Sequence, residues 1–530
     1  MLRKFTKGIS KYGVAIAVFF LLTVFFSLFF LHKHDSLNFG FGEQVRIGQR
    51  IVQQKQVVNS NHFSYADSDR NGVNNQWGGN VVFYYVHKLY GLNGLTVLAL
   101  LLNLLSFFLI LKLTIHQNNY WLILFLCLLV LPLLVFNTTP SPEMFSLLFF
   151  TISTFIVFSC VKDKSKRKRR YLWFLPILQL VWVNFDGLFF IGIFLQFLLL
   201  IHLIINKGAK REILTFSFIF VLSLAACCAN PYGLSGVLFS LKTLTGTIPH
   251  HTNVSFPFLY ARLSSSLYLF YFELVFFFSI ILLYFWIKNV KLVKQNFLII
   301  ALFVSAFLLV FWRINMAMFF GYVFIIMATI IAEQFNFKAV KRTSIVSIIL
   351  LLVSVLSFNV YFYSPYRAYS PGTGIEKNLS GVADYFIKSK LQGPIFNTPE
   401  MGAYLIYYLY PEQQVFADNN AYTNGFMESV VSPALKNQKR WLDLDNKYNF
   451  NVVCLNYGNE LKEFTNNLLM DSRWFLAYHD NYCVLFLKRN RNNDPLMRNE
   501  LLSKKSFEEM MDRFSKNEFQ LLQWNYSKMD

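Results

Sequence analysis

The sequence predicts an α-helical multi-pass membrane protein with a C-terminal extracytoplasmic α/β domain. Three observations predict it. The 530 residues are 55% hydrophobic and 18% aromatic, with 60 Phe and only 15% charged residues, whereas soluble domains average about 25% charged residues. Apolar runs of about 20 residues, the length that crosses a bilayer, recur as far as residue 363. Beyond 364 the pattern changes to short strand-like and helix-like stretches in alternation.

The elements follow in chain order. "MLRKFTKGISKYG" places basic residues ahead of a long apolar run at 14–31. No small-x-small cleavage pattern follows it, so the run reads as an uncleaved first transmembrane helix. Apolar segments fall near 13–32, 93–115, 119–136, 143–161, 171–184, 187–206, 213–229, 266–287, 296–312, 316–332 and 343–363, eleven in all. "NVVFYYVHKLYG" at 80–91 mixes aromatic and basic residues and reads as interfacial. In the tail, "LSGVADYFIKSKL" and "MGAYLIYYLYP" are helix-like, and "GPIFNT", "QQVFAD", "FNVVCLN" and "YCVLFLKR" are strand-like. Such alternation predicts a small layered α/β domain. The charged, amphipathic end predicts a helix lying on that domain or on lipid. The expected organisation is a transmembrane domain over 1–363 with an outer loop at 33–92, an α/β domain over 364–490 and an amphipathic helical tail over 491–530.

A net charge of +20 would suit nucleic acid, but its placement argues for membrane topology and against a nucleic-acid partner. The runs "RKFTK", "KDKSKRKRR", "KGAKRE", "KNVKLVK" and "KAVKR" lie between apolar segments. With the N-terminus cytoplasmic, all five fall on the cytoplasmic side. The loops at 33–92, 137–142, 184–187, 230–265 and 313–315, and the whole C-terminal domain, then lie outside. The six cysteines show neither CxxC nor metal spacing. Cys127, Cys160, Cys227 and Cys228 lie in apolar segments. Cys454 and Cys483 either pair, in an oxidising compartment, or remain two buried strand thiols.

This topology brings unusual polar residues to one membrane face. They are Asp35 and Glu43 in the first loop, Glu143 in "NTTPSPEMF", Asn184 and Asp186 in "VWVNFDGLFFIG", His250 and His251 in "IPHHTN", and Arg313 and Asn315 in "FWRINMAM". Asn230 ends the seventh apolar run in "CCANPYG". Glu273 sits within the eighth run, where an ionisable group is costly and usually faces a partner or a water-filled cavity. Each of the others has a plainer role: helix caps for Asn184 and Asp186, a helix start for "PSPE", a turn for "NPYG", solvated histidines, a snorkelling arginine. Together, acids, amides and one arginine suit an amphipathic substrate, with a polar head at the outer face and a hydrocarbon tail among Phe-rich helices.

Several blocks resemble the C-type (GT-C) integral membrane glycosyltransferase superfamily, and within it an uncharacterised prokaryotic branch of protein-mannosyltransferase-like proteins. They are "GEQVRIGQRIVQQKQVVNSNHFSYAD", "NNQWGGNVVFYYVHKLYGLNGL", "SPEMFSLLF", "VWVNFDGLFFIG", "ANPYG" and "IFNTPEMGAYLIYYLYPEQQVFAD". The similarity extends to about residue 487 through short, loose motifs. Ser141 stands where that branch has Arg before Pro-Glu, Asp186 stands where it has His, and its first-loop Trp-His pair is missing near Glu43-Gln44.

The resemblance implies a GT-C-like fold in a prokaryotic plasma membrane. It implies transfer of a sugar from a polyprenyl-phosphate donor to an extracytoplasmic acceptor, a lipid, glycan or protein, by inverting displacement. Asp35 is the expected base, with Glu43 as its substitute. Arg313 is the expected phosphate ligand. Glu143, Asn184 and Asp186 are expected to line the sugar or acceptor pocket, with His250, His251, Glu273 and Asn315 as further substrate-binding candidates. A divalent cation, Mg or Mn, would suit acids facing a phosphate. The competing readings are a lipid-linked sugar transporter or flippase and a catalytically inactive scaffold of envelope assembly. The absence of an internal repeat and the placement of the polar residues at one surface favour the enzyme over the transporter.

Overall fold

The longest helix, Trp77–Thr114, shows how the sequence departs from its own periodicity. Its 38 residues would extend about 57 Å, nearly twice the hydrocarbon thickness of a bilayer. Gly91, at φ 62° and ψ −157°, breaks it into two arms. Glycine reaches this backbone conformation without steric cost. The arm before Gly91 carries Asn80, His87 and Lys88, and the arm after it is apolar. The expected interfacial segment 80–91 and span 93–115 are therefore one kinked helix.

The computed structural model describes most of the chain between residues 16 and 509, apart from 17, 29, 35–39, 58–60, 67–72, 116–119, 132, 135–138, 163–168, 245–278, 281–289, 314–315, 335–371, 376–380, 420–424, 457–460, 481, 498–502, 504 and 508. It divides into two compact units.

The first unit comprises Met1–His32, Thr96–Leu234 and Val254–Ser364. Among the described residues of the whole chain, four helices are long and apolar enough to cross a membrane: Trp77–Thr114, Glu143–Lys162, Gly187–Ile205 and Ala317–Gln334. Val18–Leu28 and Phe297–Val310 are shorter apolar helices. Helices Tyr120–Val130, Phe174–Phe185 and Lys210–Cys227 occupy three more of the eleven expected segments. Most of 266–287 and all of 343–363 lie outside the described residues. The Ala317–Gln334 helix is buried along almost its whole length. Gly321 lets Val130 approach so closely that a Cβ there would meet it at 2.5 Å, the small-residue contact by which membrane helices close up. Aromatic pairs fill the rest, with Phe26 stacked on Phe107 at 4.3 Å and Phe150 edge-on to Phe319 at 5.2 Å.

The second unit comprises Lys33–Leu95, Ser235–Asn253 and Pro365–Asp530. Its four-stranded sheet has the order β1-β2-β4-β3, with β1 Ile395–Asn397, β2 Val452–Asn456, β3 Trp474–His479 and β4 Cys483–Lys488. β1 and β2 are parallel and the other pairs are antiparallel. "QQVFAD", expected as a strand, forms no ladder. It makes one bridge, Ser64 to Val415, while the buried Asn397 side chain bonds Phe416 N and Ala417 O. A side chain thus takes the backbone groups that a neighbouring strand would pair. β3, in "RWFLAYH", carried no strand expectation and closes the sheet edge.

The core of this unit is aromatic: Phe396, Phe416, Trp441, Phe450, Phe464 and Trp474 are all buried. Tyr65 from the first loop packs on Phe416 and Tyr448, which places the loop within this unit. Asp445, fully buried, ties Lys488 at 3.0 Å to Arg473 at 3.5 Å. Cys454 and Cys483 are buried free thiols on β2 and β4.

Candidate functional site

The candidate site forms where four helices of the first unit begin or end. The Glu143–Lys162 helix starts immediately after Pro142, with Glu143 in its first turn, where a carboxylate complements the helix dipole. The Phe174–Phe185 helix stops at Asp186, whose backbone is extended at φ −162° and ψ 152°. A short 3-10 turn, Gly187–Phe189, leads into the Phe190–Ile205 helix. Arg313 ends the Phe297–Trp312 helix, its N–H bonded to Leu309 O at 2.8 Å.

Asp186 does not act as a cap, because its side chain makes no hydrogen bond to the turn that follows it. Its carboxylate instead crosses to the neighbouring helix. Ser146 Oγ donates to Asp186 Oδ2 at 2.5 Å, and Trp182 Nε1 donates to Ser146 Oγ at 2.7 Å. Asp186 is 2% exposed and Trp182 is 0% exposed. Glu143 lies within electrostatic reach of both Asp186 and Arg313. Phe145 and Phe149 stand edge-on to Phe185 at 5.0 and 5.7 Å and form an apolar wall. Ser141 Oγ, at the position where the resembled motif has Arg, is buried without a hydrogen-bond partner.

The other expected residues distribute as follows. Asn184 donates to Leu180 O at 2.8 Å and to Ala229 O at 3.0 Å, tying its own helix to the turn after Cys227. Asn230 folds that turn, bonding Cys227 O, Gly233 O and Tyr232 N. Glu43 lies in the second unit, on the amphipathic Gly40–Gln54 helix, 3% exposed. It accepts from Asn419 Nδ2 at 2.7 Å beside the fully buried Asp418. Burial, reinforced by Asp418, pushes its carboxyl well above the usual carboxylate range, against a smaller lowering from the Asn419 hydrogen bonds. Asp35, His250, His251, Glu273 and Asn315 lie outside the described residues. Among those described, no group of three His, Cys, Asp or Glu side chains is placed to hold a metal ion. Ser146 and Trp182 carried no functional expectation. The available signal was spacing, since Ser146 lies three residues after Glu143 and Trp182 four before Asp186.

Two acids and one arginine at adjoining helix ends offer acceptors for hydroxyl groups and a planar donor for an oxyanion. No family model matches the sequence, and no curated protein matches it. Among solved structures, the chain is similar to the archaeal oligosaccharyltransferase AglB from Archaeoglobus fulgidus, in complex with an inhibitory peptide and a dolichol-phosphate. The TM-score is 0.57 at 9% identity, over 84% of this chain and 70% of that one. The chain shares its fold with that protein. At that identity the likeness concerns the fold alone, and the chemistry rests on this chain's own residues.

Proposed function

We propose that this protein is a membrane glycosyltransferase that moves a sugar from a polyprenyl-phosphate donor to an extracytoplasmic acceptor. The observation that carries the reading is the grouping of Glu143, Asp186 and Arg313 at adjoining helix ends in a GT-C-like fold. The neighbour of that fold is described in complex with a dolichol-phosphate, a lipid of the proposed donor class.

The reaction is a single displacement with inversion. The acceptor oxygen attacks the anomeric carbon, and the bond from that carbon to the phosphate oxygen breaks. The phosphate leaves with the electron pair, and a carboxylate takes the acceptor proton. Asp35 is assigned as that base, with Glu43 as the substitute. Arg313 receives the leaving phosphate through its planar fork. Glu143 and Asp186 accept hydrogen bonds from sugar or acceptor hydroxyls. Asn184 lines the same turn, and His250, His251, Glu273 and Asn315 are assigned to substrate contacts. Glu143 and Asp186 supply hard oxygen donors of the type Mg or Mn takes, but two carboxylates make a sparse set, and no step is assigned to a cation. The N-terminus is assigned to the cytoplasm of a prokaryotic cell and the C-terminal domain to the outer side, where it holds the acceptor.

Purified protein incubated with radiolabelled polyprenyl-phosphate hexoses and a panel of acceptors tests the reading. Transfer, or slow hydrolysis with inverted configuration, supports it. Binding of the donor without turnover overturns the enzyme in favour of a transporter or an inactive scaffold.

A further inference from the structure

The proposed reaction assigns a role to Asp186 but none to Ser146 and Trp182, whose side chains lead to it by two hydrogen bonds. Burying a carboxylate is costly unless hydrogen bonds replace its water. Asp186 is 2% exposed and caps nothing, so the cost is not offset by helix initiation. The indole N–H can only donate. It donates to Ser146 Oγ at 2.7 Å, which leaves the single hydroxyl hydrogen of Ser146 for Asp186 Oδ2 at 2.5 Å. Both donations run toward the carboxylate and confine it to one rotamer.

The Trp182 end of this pair of hydrogen bonds is equally fixed. A Cβ on Gly192 would lie 2.6 Å from the Trp182 ring and 2.8 Å from Gln179 Oε1. Gln179 donates to Phe189 O at 2.8 Å, locking the turn that follows Asp186. The indole therefore cannot swing away from Ser146 without displacing a buried backbone.

We propose that Ser146 and Trp182 are positioning residues, which hold Asp186 in a single orientation within the group it forms with Glu143 and Arg313. The proposal rests on the glycosyl-transfer reading and goes further by naming the residues that aim the acid. Neither touches the reacting atoms; both act through Asp186.

Two readouts on the full-length protein in nanodiscs test it. The first is a double-mutant cycle in thermal unfolding with Ser146→Ala, Asp186→Ala and both together. The expected result is a clear loss of Tm for Ser146→Ala alone and almost none in the Asp186→Ala background, which has no oxygen left to accept from Ser146. Additive losses overturn the relay, whatever the enzyme does. The second is steady-state transfer from the active polyprenyl-phosphate hexose. Ser146→Ala and Trp182→Phe should lower kcat by about tenfold or more, the scale of a misplaced reacting group, while the donor KM changes by less than about twofold. Ser146→Thr, which keeps the hydroxyl, should recover most of the loss. A KM change alone, or a Thr variant no better than Ala, overturns the positioning role. If wild-type protein turns over no donor, the transfer reading fails, and the cycle alone then decides whether the relay exists.

Discussion

Arg313 lies within electrostatic reach of Glu143, which also reaches Asp186. If it receives the leaving phosphate, its loss removes a donor aimed at developing charge, a change that typically costs about a hundredfold in kcat or more. Arg313→Ala should therefore be close to inactive. Arg313→Lys should recover only part of the rate, because an ammonium lacks the planar fork. Initial rates with saturating donor check both, and an unaltered Ala variant would remove Arg313 from the site. A structural prediction of the same scale concerns Gly402. A Cβ there would lie 2.0 Å from Ala417 O and 3.0 Å from Asn397 Nδ2. Backbone cannot give way as a flexible side chain does, so Gly402→Ala should destabilise the protein by about 1–3 kcal/mol, seen as a lower Tm at unchanged expression. Single residues were unevenly legible in the sequence. Glu143, Asp186 and Arg313 stood out because charge is rare among apolar runs. Ser146 and Trp182 did not, because a serine and a tryptophan are ordinary in a membrane helix until a carboxylate is seen beside them.

Elements were legible where one face or one composition dominates. The apolar helices and strands β2 and β4 follow directly from runs such as "VVCL" and "CVLFLK". "QQVFAD" failed as a strand because the deciding contacts come from a side chain, that of Asn397, and from Ser64 in the distant first loop. The Gly40–Gln54 helix depends in the same way on a distant partner. It buries Phe41, Glu43, Val45, Gly48 and Ile51. Gly48 packs so tightly that a Cβ would meet Asn80 O at 2.0 Å. Its buried acid makes the element sensitive to pH. Glu43 binds its proton more tightly in the folded chain than in the unfolded one, because burial and Asp418 raise its pKa. The stability it contributes is present at low pH, below its unfolded value, and is lost as pH rises through the raised folded value. Glu43→Gln keeps an oxygen for Asn419 and removes the charge. The variant should match wild type in Tm near about pH 4 and exceed it near about pH 8, where only wild type must ionise or hold a proton against the solvent. A Tm difference that is constant with pH would show that Glu43 acts through packing alone. If Glu43 serves as the base, the same variant also loses transfer.

For the whole molecule, composition pointed to the class and charge placement gives an expected orientation, but neither revealed the division into units. Residues 33–95 group with 365–530 through contacts such as Tyr65 on Phe416 and Glu43 with Asn419. Pairings across more than 300 residues leave no local periodicity to read. The orientation remains a prediction with a definite test. Five basic runs fall on one side of the expected topology, and orientation follows the summed Lys/Arg bias of the short loops. Alkaline phosphatase, which folds only outside the cytoplasm, should be active when fused after residue 490. A fluorescent protein that folds only in the cytoplasm should be bright when fused within the "KGAKRE" loop. The opposite pattern would invert the protein and place Glu143, Asp186 and Arg313 on the cytoplasmic side, away from any extracytoplasmic acceptor. Neutralising "KDKSKRKRR" alone should leave both reporters unchanged, because four other runs still hold that side. Neutralising it together with "RKFTK" and "KGAKRE" should yield a mixed population, detected as partial activity of both reporters. Transfer should fall in proportion to the inverted fraction, because only correctly oriented copies present the site to the acceptor.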